Sequence, residues 1–116
     1  MTDWIITVPQ GTDWREYQKE INAVKDGREY MNYRLPYKPK AQKGDRCFIL
    51  YRGIVRGWME IVDVVYRPMG FTCTTTGVQW PEGWYLRRSG EFHEVEGHAR
   101  MIGFRGVRRY EPKTSQ

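Results

Sequence analysis

The apolar residues of this chain fall into short runs punctuated by glycine and proline, with one helical interruption near the start. Residues 4–8, Trp-Ile-Ile-Thr-Val, are aromatic and β-branched and are closed by Pro9 and Gly11, which predicts a short strand. Asp13 with Glu16 resembles a capping box with aspartate in the N-cap role. Trp14, Tyr17, Ile21 and Val24 then recur at helical spacing, which places them on one face. Gly27 is expected to stop that helix at C′, where a left-handed backbone suits glycine.

Beyond the helix the pattern becomes strand-like. Residues 30–35 read as a strand, Pro36 and Pro39 mark a lysine-rich loop, and Lys43-Gly44-Asp45 marks a turn. Residues 46–51 are apolar on both faces, as in a central strand, and Arg52-Gly53 can turn the chain into a long strand over 54–65. Gly57 inside it predicts a bulge or sharp bend of the kind that closing a small barrel requires. In 66–83, residues 71–76 favour strand, whereas Pro68, Gly70, Gly77, Pro81 and Gly83 favour loop. Residues 84–87 and 101–110 read as two more strands, the last interrupted by Gly103 and Gly106. The order predicts an α+β fold, a small mixed β-barrel with one or two packed helices, in a single domain over 1–116.

Composition narrows the class. The 116 residues are 40% hydrophobic and 15% aromatic, enough for one folded domain with a modest core. No apolar run approaches the ~20 residues of a membrane span, and residues 4–8 are too short for a signal peptide, so a cytoplasmic, soluble monomer is expected. Cys47 and Cys73 make no disulfide framework. Together with His93 and His98 they lack the close cysteine pair of a zinc site, so no metal and no cofactor are expected.

Net charge is +5, and the excess is uneven. Arg34, Lys38, Lys40, Lys43, Arg46, Arg52 and Arg56 share their stretch with Asp45 alone, and Arg100, Arg105, Arg108, Arg109 and Lys113 share theirs with Glu111. Clustered cations favour a polyanion through phosphate contacts and counterion release. The plainer alternative is a solvated surface that keeps the protein soluble.

Residues 27–34, Gly-Arg-Glu-Tyr-Met-Asn-Tyr-Arg, follow the helix and precede Lys43-Gly44-Asp45 and its apolar strand. With that topology the stretch resembles the PUA-like superfamily, in its ASCH and EVE branches. Against the ASCH signature G-x-K-x-x-E-x-R, Gly27 and Arg34 match, while Glu29 stands in the lysine position and Asn32 in the glutamate position. Trp4 and the hairpin over residues 51–57 look more like the EVE branch. The resemblance covers residues 4–65. It implies a cleft on the barrel beside the motif, which relatives use to bind RNA, to hold a modified or flipped base, or in some ASCH proteins to hydrolyse an acylated cytidine.

In that hydrolase branch the resemblance assigns catalysis to the motif lysine. Glutamate can act as a general base on water but cannot replace an amine or its charge, so Glu29 argues for a binder rather than an enzyme. No nucleophile elbow, P-loop or His-x-x-x-His helix is present, and the His93/His98 pair lies in an acidic stretch that reads as solvated surface.

A binding reading uses the residues better. Asn32 offers an amide to a base edge, and Arg34 can hold a phosphate or stack on a base, though it can equally brace the barrel against Glu29 or Asp45. Trp58, Trp80, Trp84 and Tyr85 can supply a stacking wall, with Arg87 and Arg88 as a backbone clamp beside it. Most tryptophans of a small barrel are core, Trp4 and Trp14 first among these, whereas Trp80 falls in a loop. The expected nucleic-acid contacts are therefore Asn32, Arg34, Lys38, Lys40, Lys43, Trp80, Arg87, Arg88, Arg105 and Arg108, reading RNA or a modified base in DNA. Two alternatives stay open: a hydrolase of acylated or modified nucleosides with Glu29 as base, and a small module that docks its exposed aromatics on a protein whose identity is not indicated.

Overall fold

The computed structural model describes residues 1–73, 77–95 and 99–111. Among them run β1 (Asp3–Thr7), α1 (Trp14–Ala23), β2 (Met31–Leu35), β3 (Arg46–Tyr51), β4 (Ile54–Arg67), β5 (Phe71–Thr72), β6 (Gln79–Trp80), β7 (Gly83–Glu94) and β8 (Val107–Arg109). The long sheet has the order β2-β7-β4-β3-β1-β8, and β5 and β6 form a separate two-stranded hairpin. All neighbours are antiparallel except β1 and β3, whose parallel pairing sends the intervening chain, with α1 and β2, across one face.

The helix forms where its apolar face predicts. Asp13 is the N-cap and accepts from the Arg15 amide, while Glu16 bonds Lys19. Tyr17, Ile21 and Val24 are buried against Val8, Met31, Ile49, Tyr51 and Met59, with Trp14 half-buried beside them. The helix ends at Ala23, short of Gly27. Val24 caps it, the Gly27 amide closes a turn onto Val24, and Asp26 accepts from the Arg28 amide. Asp26 offers its carboxylate to the backbone just beyond this end, a local alternative to further helix before glycine is reached.

β3 is central and buried on both faces, as its composition requires. Cys47 packs with Trp4, Ile6, Leu35, Ile61 and Leu86, while Phe48 and Leu50 pack on the other side with Ile5, Val55, Trp58, Met101, Phe104 and Tyr110. Register shifts between Ile49 and Leu50, between Trp58 and Glu60, and between Ile61 and Asp63 curl β4 and its neighbours. Gly57 permits the tightest approach, since a Cβ there would run into the His93 carbonyl and the Phe92 ring.

The expected barrel is not closed. The sheet is a curled half-barrel whose end strands, β2 and β8, share no ladder. They meet through tyrosine hydroxyls instead: Tyr33 donates to the Gly106 carbonyl at 3.5 Å, and Tyr37 accepts from the Val107 amide at 3.4 Å. The final strand predicted over 101–110 shrinks to three residues, because Gly106 takes a φ of +79° and breaks the extended run. The reverse holds for β7, which is far longer than residues 84–87. β4 supplies it with a ladder partner along its length even where Arg87, Arg88 and Ser89 hide the strand pattern.

Asp45 fixes the start of β3. Its carboxylate accepts from the Thr2 and Gln42 amides and from Trp4 Nε1, at 2.9 to 3.0 Å. Burial would raise its pKa, yet these three donors hold it below the ordinary value. The turn that closes the predicted lysine loop is thereby tied to β1.

Candidate functional site

β2 is an edge strand, paired on one side with β7 in the register Met31↔Arg88 through Leu35↔Trp84. Along its other side, between the strand, β1 and α1, runs a cleft of about 780 Å³. Met31, Asn32, Tyr33 and Arg34 form one wall; Glu16, Tyr17, Lys19, Glu20 and Ala23 of α1 form part of the other. Ile6 and Val8 supply apolar floor, and Trp80 and Arg88 reach it from the β5–β6 hairpin and from β7. The lining thus combines apolar surface with a few convergent polar groups, the usual make-up of a small-ligand site.

Each polar wall residue is held from behind. Arg34 Nε donates to the Glu82 carbonyl at 2.8 Å, which braces β2 against the turn before β7 rather than against Glu29 or Asp45. Gly83 leaves room for this guanidinium, since a Cβ there would press on its Nε at 2.7 Å. Asn32 donates to the Tyr30 carbonyl. Trp80 stacks on Phe71 at 6.2 Å, and buried Tyr85 stands edge-on to both rings. Arg88 is only 2% exposed, and its Nη1 donates to the Tyr17 hydroxyl at 2.9 Å. Burial raises the pKa of the Tyr17 phenol, against the opposing pull of Arg88, so this hydroxyl stays protonated near neutrality. Burial likewise pushes the nearby Cys47 thiol up to about 11, with Arg88 again pulling the other way, which keeps it a thiol and not a nucleophile.

Of the residues expected to touch nucleic acid, the fold brings Asn32, Arg34 and Trp80 to one face of β2, and Arg88 lines the same cleft from the opposite face, beside Met31 and Tyr17. Lys38, Lys40 and Lys43 are exposed on the β2–β3 loop, and Arg105 and Arg108 are exposed around β8. These two basic groups adjoin where Tyr37 meets Gly106 and Val107. Lys38 also lies 5.6 Å from the Trp84 ring, and Arg108 4.4 Å from Phe104. Arg87 points away from Arg88. It forms a two-pronged ion pair with Asp63 at 2.5 and 2.6 Å and lies over Tyr30, so the Arg87–Arg88 pair does not act as one clamp.

The four-aromatic wall is not one surface either. Trp80 and Tyr85 are neighbours, but Trp58 lies in the cluster on the other side of the sheet, stacked on His93 at 4.0 Å, and Trp84 packs toward the core. Glu29 is absent from the cleft lining, and its backbone carbonyl accepts from Ser89. His98 and Lys113, and residues 74–76 of the predicted strand, lie outside the described residues. The sequence pattern places Tyr17 on the apolar helix face and Tyr33 in a strand, and only the fold shows their hydroxyl ends at the cleft and seam. Their amphipathic character was the one signal available.

No protein-family model, curated protein or solved structure matches the chain.

Proposed function

We propose that the protein is a PUA-like, ASCH/EVE-type nucleic-acid-binding domain that takes a base of RNA, or a modified base, into the β2-edge cleft. The observation that carries this reading is the meeting of Asn32, Arg34 and Trp80 in one concave site, beside a seam where Lys38, Lys40, Lys43, Arg105 and Arg108 stand exposed. Exposed cations offer the backbone phosphates sequence-independent affinity through counterion release, and an aromatic in the cleft adds ~1–3 kcal/mol for a stacked base.

The test is a binding series in rising salt with transfer RNA, single-stranded RNA, and duplex DNA with and without modified cytosines. Affinity is expected to fall steeply as salt rises. Failure of every one of these to bind at low salt ends the proposal. Glu29 lies away from the cleft, which favours binding over hydrolysis. Incubation with N-acylated nucleosides is accordingly expected to give no turnover in wild type or in Glu29→Gln; turnover lost only in the variant would restore the hydrolase alternative.

A further inference from the structure

One donor on a residue that lines the cleft lacks an acceptor: Arg88 Nε is buried with no partner. A buried donor left unpaired carries its desolvation cost, the more so when it is charged, so this position favours a molecule that brings an acceptor.

Resting on the reading of the cleft as a base site, we propose that it selects guanine. A guanidinium presents its N–H groups as a planar fork, and with Nη1 engaged by Tyr17 the Nε side of Arg88 is the prong left over. Guanine places two acceptors, O6 and N7, side by side on one edge, the pattern that arginine pairs with best. Adenine and cytosine put an amino donor there, against a side chain that can only donate. The adjoining edge of guanine carries N1–H and an amino group, both donors. The α1 wall of the cleft carries the Glu16 carboxylate, which bonds Lys19 through one oxygen and has further acceptor capacity, the complementary chemistry. A carboxylate on this wall also opposes a phosphate inside the cleft and leaves the backbone to the cations of the seam.

The test uses short single-stranded RNAs identical except for one central base: guanine, adenine, cytosine, uracil or 7-deazaguanine, whose N7 acceptor is replaced by C–H. Titration followed by tryptophan fluorescence is expected to favour guanine by roughly tenfold or more over adenine and cytosine, with 7-deazaguanine falling toward them. Inorganic phosphate at matched concentration is expected not to displace the guanine RNA. Arg88→Lys keeps the charge and loses the fork, and is expected to erase the preference for guanine. Equal binding of all the RNAs, a preference for another base, or undiminished binding of 7-deazaguanine overturns guanine selection and leaves the base-cleft reading standing. Displacement by phosphate overturns it in favour of an anion site. Absence of binding to every RNA overturns both. The 7-deazaguanine comparison needs no variant, so it decides the matter even where Arg88→Lys does not fold.

Discussion

Asp45 at the mouth of β3 and Arg88 at the cleft are both charged and both withdrawn from water, at 8% and 2% exposure, yet only Asp45 is surrounded by partners. Three donors converge on the Asp45 carboxylate, each from a different part of the chain: the N-terminus, β1 and the lysine loop. Arg88 gives one hydrogen bond to Tyr17 and keeps an idle Nε. A charge whose bonds are complete acts as a fastener. One whose bonds are incomplete still carries its desolvation cost and has something to offer a ligand. Arg87 shows that β7 is capable of pairing an arginine fully, since Asp63 satisfies it on the opposite side of the strand.

This contrast is open to direct test. The largest effect is expected from Asp45→Ala, which strands Trp4 Nε1 and two amides. Urea melts should show a loss of about 3 kcal/mol, as removal of a charged, buried acceptor does, while RNA affinity of the folded fraction stays the same. A loss below about 0.5 kcal/mol would mean that water replaces the carboxylate without penalty.

The same residue gives a pH dependence. Its folded pKa is lowered, so its contribution is present above the unfolded carboxyl value of about 3.9 and is lost as pH falls through the folded value. Wild type should therefore lose more stability between pH 7 and pH 3 than Asp45→Asn does, as read from melting temperatures. Parallel curves for the two proteins would remove Asp45 from the acid response.

Arg88→Met should behave in the opposite sense to Asp45→Ala. Removing an incompletely paired buried cation recovers its desolvation cost, so stability should change by less than about 1 kcal/mol, while affinity for RNA falls roughly tenfold. A collapse of the fold with this substitution would make Arg88 a fastener like Asp45. The smallest effect is expected from Asp63→Asn, which weakens a partly solvated pair and should cost about 0.5 kcal/mol in a thermal melt. A larger loss there would place Arg87 among the residues that hold the sheet.

Local pattern made β1, α1 and β3 legible because each rests on neighbouring residues: a β-branched run, a helical stripe behind Asp13, and an apolar block after Gly44. The long β7 was hidden because Arg87, Arg88 and Ser89 interrupt its alternation, and only β4, a partner distant in sequence, determines its length. Half-barrel rather than barrel was illegible for the same reason, since closure depends on whether β2 and β8 meet. Within the cleft, Asn32, Arg34 and Trp80 could be named from side-chain chemistry. Arg88 could be named but not understood. Adjacent arginines look alike in a sequence, and strand alternation gives one to Asp63 and the other to Tyr17.

The parallel pairing of β1 with β3 also sets an order of assembly. β3 and β4 are joined by the tight Arg52-Gly53 turn, and β7 lies directly against β4, so these strands can associate at low loop entropy. β1 must wait for α1, β2 and the lysine loop to be carried across before its neighbour exists. The first strand of the chain is thus expected to dock late. Truncations such as Val55→Ala should slow refolding, whereas Ile5→Val should mainly hasten unfolding.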